Sequence, residues 1–157
     1  MTVSRVMRTT GVTVVRDTDS VADAALTLVR LEHRVSLLPV VDHLGRLVGT
    51  LSVDNLIALL LPKAATAGYD LADLAFVSDS LEDILDRTRG LSPAKVSEMM
   101  QTPPVTLHPD TALSKALYLI YRGDNDLAVT DPDTGKLVGI VSALDILRAV
   151  LETALAE

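Results

Sequence analysis

The fold of this chain is decided by residues 135–147, which read GKLVGIVSALDIL. A glycine turn leads into aliphatic and β-branched residues, and such a run is typical of a short buried strand. Ser142 ends the run, and Asp145 follows three residues later, in the first turn of an apolar helical segment. The stretch therefore predicts a turn, a strand and a helix in direct succession.

The same pattern occurs earlier, in residues 45–57, which read GRLVGTLSVDNLI. The two copies are 90 positions apart, so that Ser52 aligns with Ser142 and Asn55 aligns with Asp145. The chain thus contains a repeated unit, and each copy has its own strand end and helix start.

The elements around each copy are also repeated. VSRVM at residues 3–7 matches VSEMM at residues 96–100 with an offset of 93. Each repeat reads helix, strand, helix, strand, strand, helix, and the change of offset places small deletions in loops, where they are tolerated. We expect a first repeat at residues 1–61, a helical insert or linker at 62–94, and a second repeat at 95–157.

Periodicity, turn residues and capping residues predict the individual elements. The first repeat is predicted to contain a helical start at 2–7, strands at 12–15, 37–41 and 47–51, and helices at 21–32 and 54–61. The second is predicted to contain a short helix at 96–100, strands at 105–107 and 127–129, and a helix at 112–122. In the insert, a helix at 79–89 is expected to start at Ser80 with Asp83, and another to restart at Ser92 and Pro93.

These β-α-β-β-α units predict an α/β fold. Alone, each unit would leave one face of its sheet partly uncovered, whereas two copies can pack sheet against sheet about a pseudo-twofold axis and share a core. That packing leaves related clefts where the repeats meet, and such clefts are a usual location for small ligands.

Composition excludes several classes of function. The net charge of −7 argues against nucleic acid and against a membrane surface as partners. The chain has no cysteine and its start lacks an apolar signal core, so we expect a cytoplasmic protein. The sequence contains no phosphate-binding glycine loop, nucleophile elbow or calcium loop, so neither an enzyme nor a metal site is predicted. The polar residues Asp124, Asn125, Asp126, Asp131 and Asp133 could form a divalent-metal cluster, but their spacing does not match a calcium loop and they are interpreted as solvated turns.

The glycine turn, the hydrophobic-Pro-Val-Val-Asp strand and the Gly-x-x-Ser-x-x-Asp pattern together resemble the cystathionine-β-synthase (CBS) domain. The resemblance covers about residues 2–61 and 95–151. Members of this family occur in tandem pairs known as Bateman modules and act as regulatory sensors. The resemblance implies an adenosine-containing ligand, namely AMP, ADP, ATP or S-adenosylmethionine, held between the repeats. No cofactor is implied beyond that regulatory ligand.

The resemblance also assigns roles to individual residues. Asp145 would accept hydrogen bonds from the ribose hydroxyls, and Ser142 would bond a ribose or phosphate oxygen. Adenine would use backbone groups near Thr13, or near Val105 and Thr106. The corresponding residues of the first repeat are Ser52 and Asn55, with Asp54 as the neighbour that a small register change would substitute. An alternative stays open, because Ser and Asp are also favoured at helix starts.

The two repeats depart from the family pattern in different ways. Asn55 is neutral where Asp145 is charged, and acidic residues stand at 124 and 126 where the family often has a basic residue. We therefore expect at most one well-formed site, built on Asp145, and a ligand of low negative charge, such as a nucleoside or S-adenosylmethionine. Cations that could compensate are Arg34, Arg122, Lys136 and Arg148. Arg5 and Arg8 could lie near the mouth of a cleft, but solvated surface is the preferred interpretation.

Two functions remain open on these grounds. The first is a stand-alone ligand-sensing module that regulates a separate effector protein. The second is a dimerisation scaffold with degenerate, empty clefts. The resemblance favours a homodimer in either case, and the aliphatic helices at residues 56–61 and 146–155 are suitable contact faces.

Overall fold

A computed structural model describes residues 1–31, 35–61, 80–91, 93–124 and 126–156. The predictions that concern Arg34, Ser92, Asn125 and residues 62–79 of the insert lie outside these ranges.

The order of elements confirms the predicted α/β repeats. In the first repeat, a 3-10 helix (Val3–Arg5) precedes β1 (Val15–Arg16), α1 (Val21–Arg30), β2 (Leu37–Val41), β3 (Leu47–Ser52) and α2 (Val53–Leu60). The described part of the insert contains α3 (Leu81–Thr88) and a 3-10 helix (Arg89–Leu91). The second repeat contains α4 (Val96–Met99), β4 (Thr106–Leu107), α5 (Leu113–Tyr121), β5 (Asp126–Thr130), β6 (Leu137–Ser142) and α6 (Ala143–Leu155). Within the described ranges, none of these helices is long and apolar enough to cross a membrane.

Several boundaries differ from the sequence prediction by a few residues, and strand pairing explains the two largest shifts. β1 begins at Val15, not at residue 12, because only Val15 and Arg16 have partners on β2. The helix expected to restart at Pro93 begins instead at Val96, because Lys95 is extended and forms a β-bridge with Ser20 of the first repeat.

Each repeat forms a three-stranded sheet of the same topology. The strand orders are β1-β2-β3 and β4-β5-β6, with a parallel first pair and an antiparallel second pair. Val40 pairs with Gly49 in the first sheet and Val129 pairs with Gly139 in the second, and a register shift follows at the same point in both. The two sheets therefore have the same strand order and the same strand register.

The start of each repeat is exchanged onto the sheet of the other. Arg8 and Ile140 of β6 exchange two backbone hydrogen bonds, with N···O distances of 2.8 and 3.0 Å. Gln101 and Thr50 of β3 do the same, at 2.8 and 3.1 Å. In each sheet, the antiparallel strand at the edge thus pairs with a backbone segment that belongs to the other repeat.

The buried side chains follow this exchange. Val3 and Val6 belong to the cluster around the second sheet, whereas Val96 belongs to the cluster around the first. The described apolar core therefore consists of two clusters, and the single shared core expected from the sequence is wrong. The reason is that each exchanged helix covers the sheet of the opposite repeat.

A pseudo-twofold relation between the repeats is visible in their hairpin turns. The Leu47 amide donates to the Gly135 carbonyl at 3.0 Å, and the Leu137 amide donates to the Gly45 carbonyl at 3.2 Å. Both glycines adopt the left-handed backbone conformation that their turns require, with φ of 80° and 72°. Because equivalent residues bond reciprocally, this contact confirms the predicted pseudo-twofold pair.

The described helix of the insert packs along α2. It begins with the expected capping box, in which Ser80 and Asp83 exchange side-chain and backbone hydrogen bonds. The hydrogen bonds from the Ser80 amide and hydroxyl hold the pKa of the Asp83 carboxyl below its ordinary value. Arg87 donates through Nε to the Leu60 carbonyl at 2.9 Å, which ties the last turn of α3 to the end of α2.

The motif glycines are required by the exchanged segments, and their substitution tests this arrangement. A Cβ on Gly139 would lie 2.8 Å from the backbone carbonyl oxygen of Arg8, whereas a Cβ on Gly49 would meet mainly the flexible side chain of Met100. We expect Gly139→Ala to lower the free energy of unfolding by about 1–3 kcal/mol, and Gly49→Ala to lower it by less. Urea denaturation of both variants measures the difference, and an equal or reversed order would contradict the close backbone approach.

Candidate ligand-binding site

Ser142 and Asp145 form a reciprocal cap at the start of α6. The Asp145 amide donates to Ser142 Oγ at 3.2 Å, and the Ser142 amide donates to Asp145 Oδ2 at 3.1 Å. The local sequence produces this geometry, because a Ser at the N-cap and an acidic side chain three residues later satisfy two free amides. The capping role that the sequence left open is therefore present.

The Asp145 carboxylate has a second partner, which comes from the other repeat. Arg8 donates through Nε to Asp145 Oδ2 at 3.1 Å, and the two side chains are 32% and 14% exposed. The interpretation of Arg8 as solvated surface is wrong, whereas Arg5 is exposed as expected. Arg8 reaches Asp145 because the exchanged backbone pairs with Ile140.

Beside Arg8 lies a small cavity of about 30 Å³. It lies between the start of the first repeat and β6, and its lining is mostly aliphatic: Arg8, Gly11, Val12, Thr13, Leu31, Val35, Leu37 and Ile140. Thr13 thus lines the same cavity as Arg8, which bonds Asp145, whereas Asp145 itself, Val105 and Thr106 line neither described cavity. A volume of this size holds about one water molecule, so an adenine ring enters only if the side chains around Thr13 move apart.

The first repeat has the same helix-cap geometry as Ser142 and Asp145, but with neutral side chains. Asn55 Oδ1 accepts hydrogen bonds from the Ser52 amide at 2.9 Å and from Ser52 Oγ at 2.8 Å. Asn55 therefore occupies the position equivalent to Asp145, and the register change suggested for Asp54 does not occur. Gln101 stands in the place of Arg8, because it pairs with Thr50 as Arg8 pairs with Ile140.

A larger cleft of about 540 Å³ lies between the repeats. Both helix caps, Ser52 and Ser142, face it together with the first turns of α2 and α6. Three carboxylates line this cleft, and none of its lining residues within the described ranges is basic. The lining consists of Val35, Ser36, Leu37, Ser52, Val53, Asp54, Gln101, Gly123, Asp124, Asp126, Ser142, Ala143 and Leu144.

Asp126 is buried in the wall of this cleft and bonded to the opposite repeat. Its Oδ2 accepts hydrogen bonds from the Ser36 amide at 2.8 Å and from Ser36 Oγ at 2.5 Å. The interpretation of Asp126 as part of a solvated turn is wrong, because the residue begins β5 and pairs with Ser142. Ser36 directly precedes β2 and Asp126 begins β5, so this bond joins the starts of corresponding strands of the two repeats.

Three of the cations that could compensate the acidic residues lie in the described ranges, and these three do not reach the clefts. Arg122, Lys136 and Arg148 are exposed and line neither cavity. Arg8 is therefore the basic residue that the described structure brings to the candidate site. The described residues also contain no group of three or more acidic or histidine side chains suited to hold a metal ion.

A signal for Arg8 does exist in the sequence. The offset of 93 aligns Arg8 with Gln101, and the offset of 90 aligns Asp145 with Asn55. The charged Arg8 at the start of the first repeat therefore goes with the charged Asp145 of the second repeat. The neutral Gln101 at the start of the second repeat goes with the neutral Asn55 of the first.

Comparison with known proteins agrees with this architecture. The model of the CBS domain family matches residues 3–62 and 96–152. The chloroplastic CBS domain-containing proteins CBSX2 and CBSX1 of Arabidopsis thaliana are 31% and 29% identical over 149 and 145 residues, or 88% of this chain in each case. The matches cover 58% and 59% of the relatives' own lengths, so this chain spans less than two thirds of either protein.

Solved structures match over the same elements. The crystal structure of CBSX2 in complex with AMP superposes with a TM-score of 0.69 at 30% identity, covering 98% of each chain. The cytosolic domain of the Mg²⁺ channel MgtE in complex with ATP superposes with a TM-score of 0.57 at 26% identity, covering 87% of this chain and 44% of that one.

Proposed function

This chain belongs to the CBS domain family as a tandem pair of repeats, and we propose that it is a regulatory module that binds an adenosine-containing ligand between them. The observation that carries the proposal is the half-site in which Arg8 of one repeat meets the Ser142–Asp145 cap of the other. A ligand held there contacts both repeats, so its binding can change how they are held together.

The chemistry of this half-site suits a ribose. A carboxylate has four lone-pair positions, so Asp145 can accept from two adjacent hydroxyl groups while it keeps the bond from the Ser142 amide. Ser142 Oγ accepts from the Asp145 amide and retains its own hydrogen for donation to a ligand oxygen. The first turn of α6 adds the partial positive charge of a helix N-terminus, which favours an anionic group. The base would then lie toward Thr13, among aliphatic side chains.

The relatives support an adenine nucleotide as the ligand. CBSX2 was crystallised with AMP and the cytosolic domain of MgtE with ATP. In this chain the adjoining large cleft carries Asp54, Asp124 and Asp126, which repel additional phosphate groups. We therefore propose AMP, or an adenosine compound without a polyphosphate chain such as S-adenosylmethionine, in preference to ATP.

The proposed role is regulation and not catalysis. Asp145 and Ser142 serve as mutual cap partners, an arrangement that positions a ligand without activating a nucleophile. The output would be read by a separate effector protein, and the cytoplasm stays the predicted compartment.

Calorimetric titration of AMP into the protein tests the proposal directly. We expect Asp145→Ala to weaken AMP binding at least tenfold, because hydrogen bonds to a charged group contribute about 1.5–3 kcal/mol. Asn55→Ala is the matched control, since it removes the equivalent cap of the other repeat and is expected to leave AMP affinity within about twofold. Equal AMP affinity in the wild type and Asp145→Ala would contradict the assignment of the site.

We also propose a homodimer, and an exposed stripe on α6 favours it. Leu144, Leu147, Leu151 and Leu155 are each more than half exposed, and their spacing places them along one side of the helix. An apolar stripe of this kind on a soluble helix marks a contact surface. If no adenosine compound binds and the dimer persists, the scaffold alternative explains the chain better.

Light scattering after gel filtration tests the dimer. We expect the wild type to have twice the chain mass of 16.7 kDa, and the double variant Leu147→Glu and Leu151→Glu to have the chain mass itself. The reason is that two buried carboxylates per subunit oppose association at an apolar contact. Val29→Glu on α1, which also replaces an exposed apolar residue, is the control and should stay dimeric. A monomeric wild type would contradict the proposal.

A further inference from the structure

We propose that Arg8 is a specificity residue that makes the Asp145 half-site select a nucleoside monophosphate over the uncharged nucleoside. This inference rests on the proposed function, since it concerns the same half-site. It specifies that the ligand carries a phosphate group and that Arg8 binds this group.

Arg8 and a ribose compete for the same carboxylate. Asp145 Oδ2 already accepts hydrogen bonds from the Ser142 amide and from Arg8 Nε, both at 3.1 Å. A ribose that bonds both carboxylate oxygens must displace the guanidinium from Oδ2, because the backbone amide of the cap is fixed. The Arg8 side chain is only 32% exposed, so its charge then needs a new partner, and leaving it unpaired is unfavourable.

The displaced guanidinium cannot leave the site, because the Arg8 backbone is clamped. Its amide and carbonyl both bond to Ile140, and the carbonyl oxygen lies so close to Gly139 that not even a Cβ would fit between them. Only the side chain can move, within its own length. A phosphate on the ribose offers two oxygens that match the planar fork of a guanidinium, and a bare nucleoside offers nothing comparable.

The charge of the surroundings limits the ligand to few phosphates. Arg8 is the one basic side chain among the lining residues of both cavities within the described part of the chain. Across the large cleft stand Asp54, Asp124 and the buried Asp126. The positive charges of one guanidinium and one helix N-terminus balance the negative charge of a monophosphate, whereas the carboxylates repel a triphosphate.

The first repeat supplies an internal comparison. Gln101 is held by Thr50 as Arg8 is held by Ile140, and the residue at the position of Asp145 is Asn55. Both members of the charged pair are thus replaced together by neutral side chains, of which Asn matches Asp in length and Gln is shorter than Arg. Replacing Arg8 by Gln in the second site therefore gives a side chain that the fold already accepts in this position.

Calorimetric titration of AMP and adenosine into the wild type and Arg8→Gln tests the inference. We expect the wild type to bind AMP at least tenfold more tightly than adenosine, which is the order of one charge-assisted hydrogen bond. In Arg8→Gln the two affinities should move in opposite directions, because AMP loses its phosphate partner while adenosine loses a competitor for Asp145. The ratio of the affinities should then approach one.

Arg46→Gln is the matched control. Arg46 also donates through Nε to an aspartate, Asp42, at 2.9 Å, but this pair lies in the β2–β3 turn and lines neither cavity. We expect Arg46→Gln to keep the wild-type ratio of affinities. Arg8→Lys, which keeps the charge, is expected to retain a preference for AMP and provides a second reading if Arg8→Gln is poorly folded.

The possible failures are distinguishable. If AMP and adenosine both weaken in Arg8→Gln with an unchanged ratio, Arg8 is only a structural support and the inference is overturned, while the proposed function stands. A lost preference for AMP in Arg8→Lys likewise overturns the inference, since the charge is retained. If neither compound binds the wild type, the proposed function fails and the inference fails with it.

Discussion

The structure depends on one constraint, which is that each three-stranded sheet is extended by a backbone segment from the opposite repeat. Arg8 bonds to Ile140 at the edge of one sheet, and Gln101 bonds to Thr50 at the edge of the other. At Gly139 this segment approaches too closely for a side chain, because a Cβ would lie 2.8 Å from the Arg8 carbonyl oxygen, whereas at Gly49 the first obstacle is the Met100 side chain. Neither repeat can therefore bury its core or complete its ligand-facing edge alone.

This exchange also explains why the two related clefts have diverged. Every half-site combines a helix cap from one repeat with a side chain from the start of the other, so a change on either side alters the charge of the whole site. In one half-site Arg8 faces Asp145, and in the other Gln101 stands in the place equivalent to Arg8 and Asn55 in the place equivalent to Asp145. This chain thus presents one charged and one neutral version of the same geometry beside a shared acidic cleft, and we propose that the charged version binds the ligand.

Local patterns predicted most of the fold and part of the candidate site. The strand before Ser142, the cap with Asp145 and the turn at Gly135 follow from residues within a few positions of each other, which is where propensity and capping rules apply. The ion pair of Arg8 with Asp145 joins residues 137 positions apart and depends on the exchange, so no local rule could place it. Asp126 was misjudged for a similar reason, because a run of polar residues normally indicates solvent and its partner Ser36 lies in the other repeat.

We propose one ligand site, assembled from the start of the first repeat and the end of the second. A titration of the ¹⁵N-labelled chain with AMP, followed by amide chemical shifts, tests this proposal. We expect the amides of Arg8, Thr13, Ser142 and Asp145 to shift together and saturate together, while those of Ser52, Asn55 and Thr106 stay largely unchanged. Saturable shifts confined to Ser52, Asn55 and Thr106, or confined to a single repeat, would contradict it.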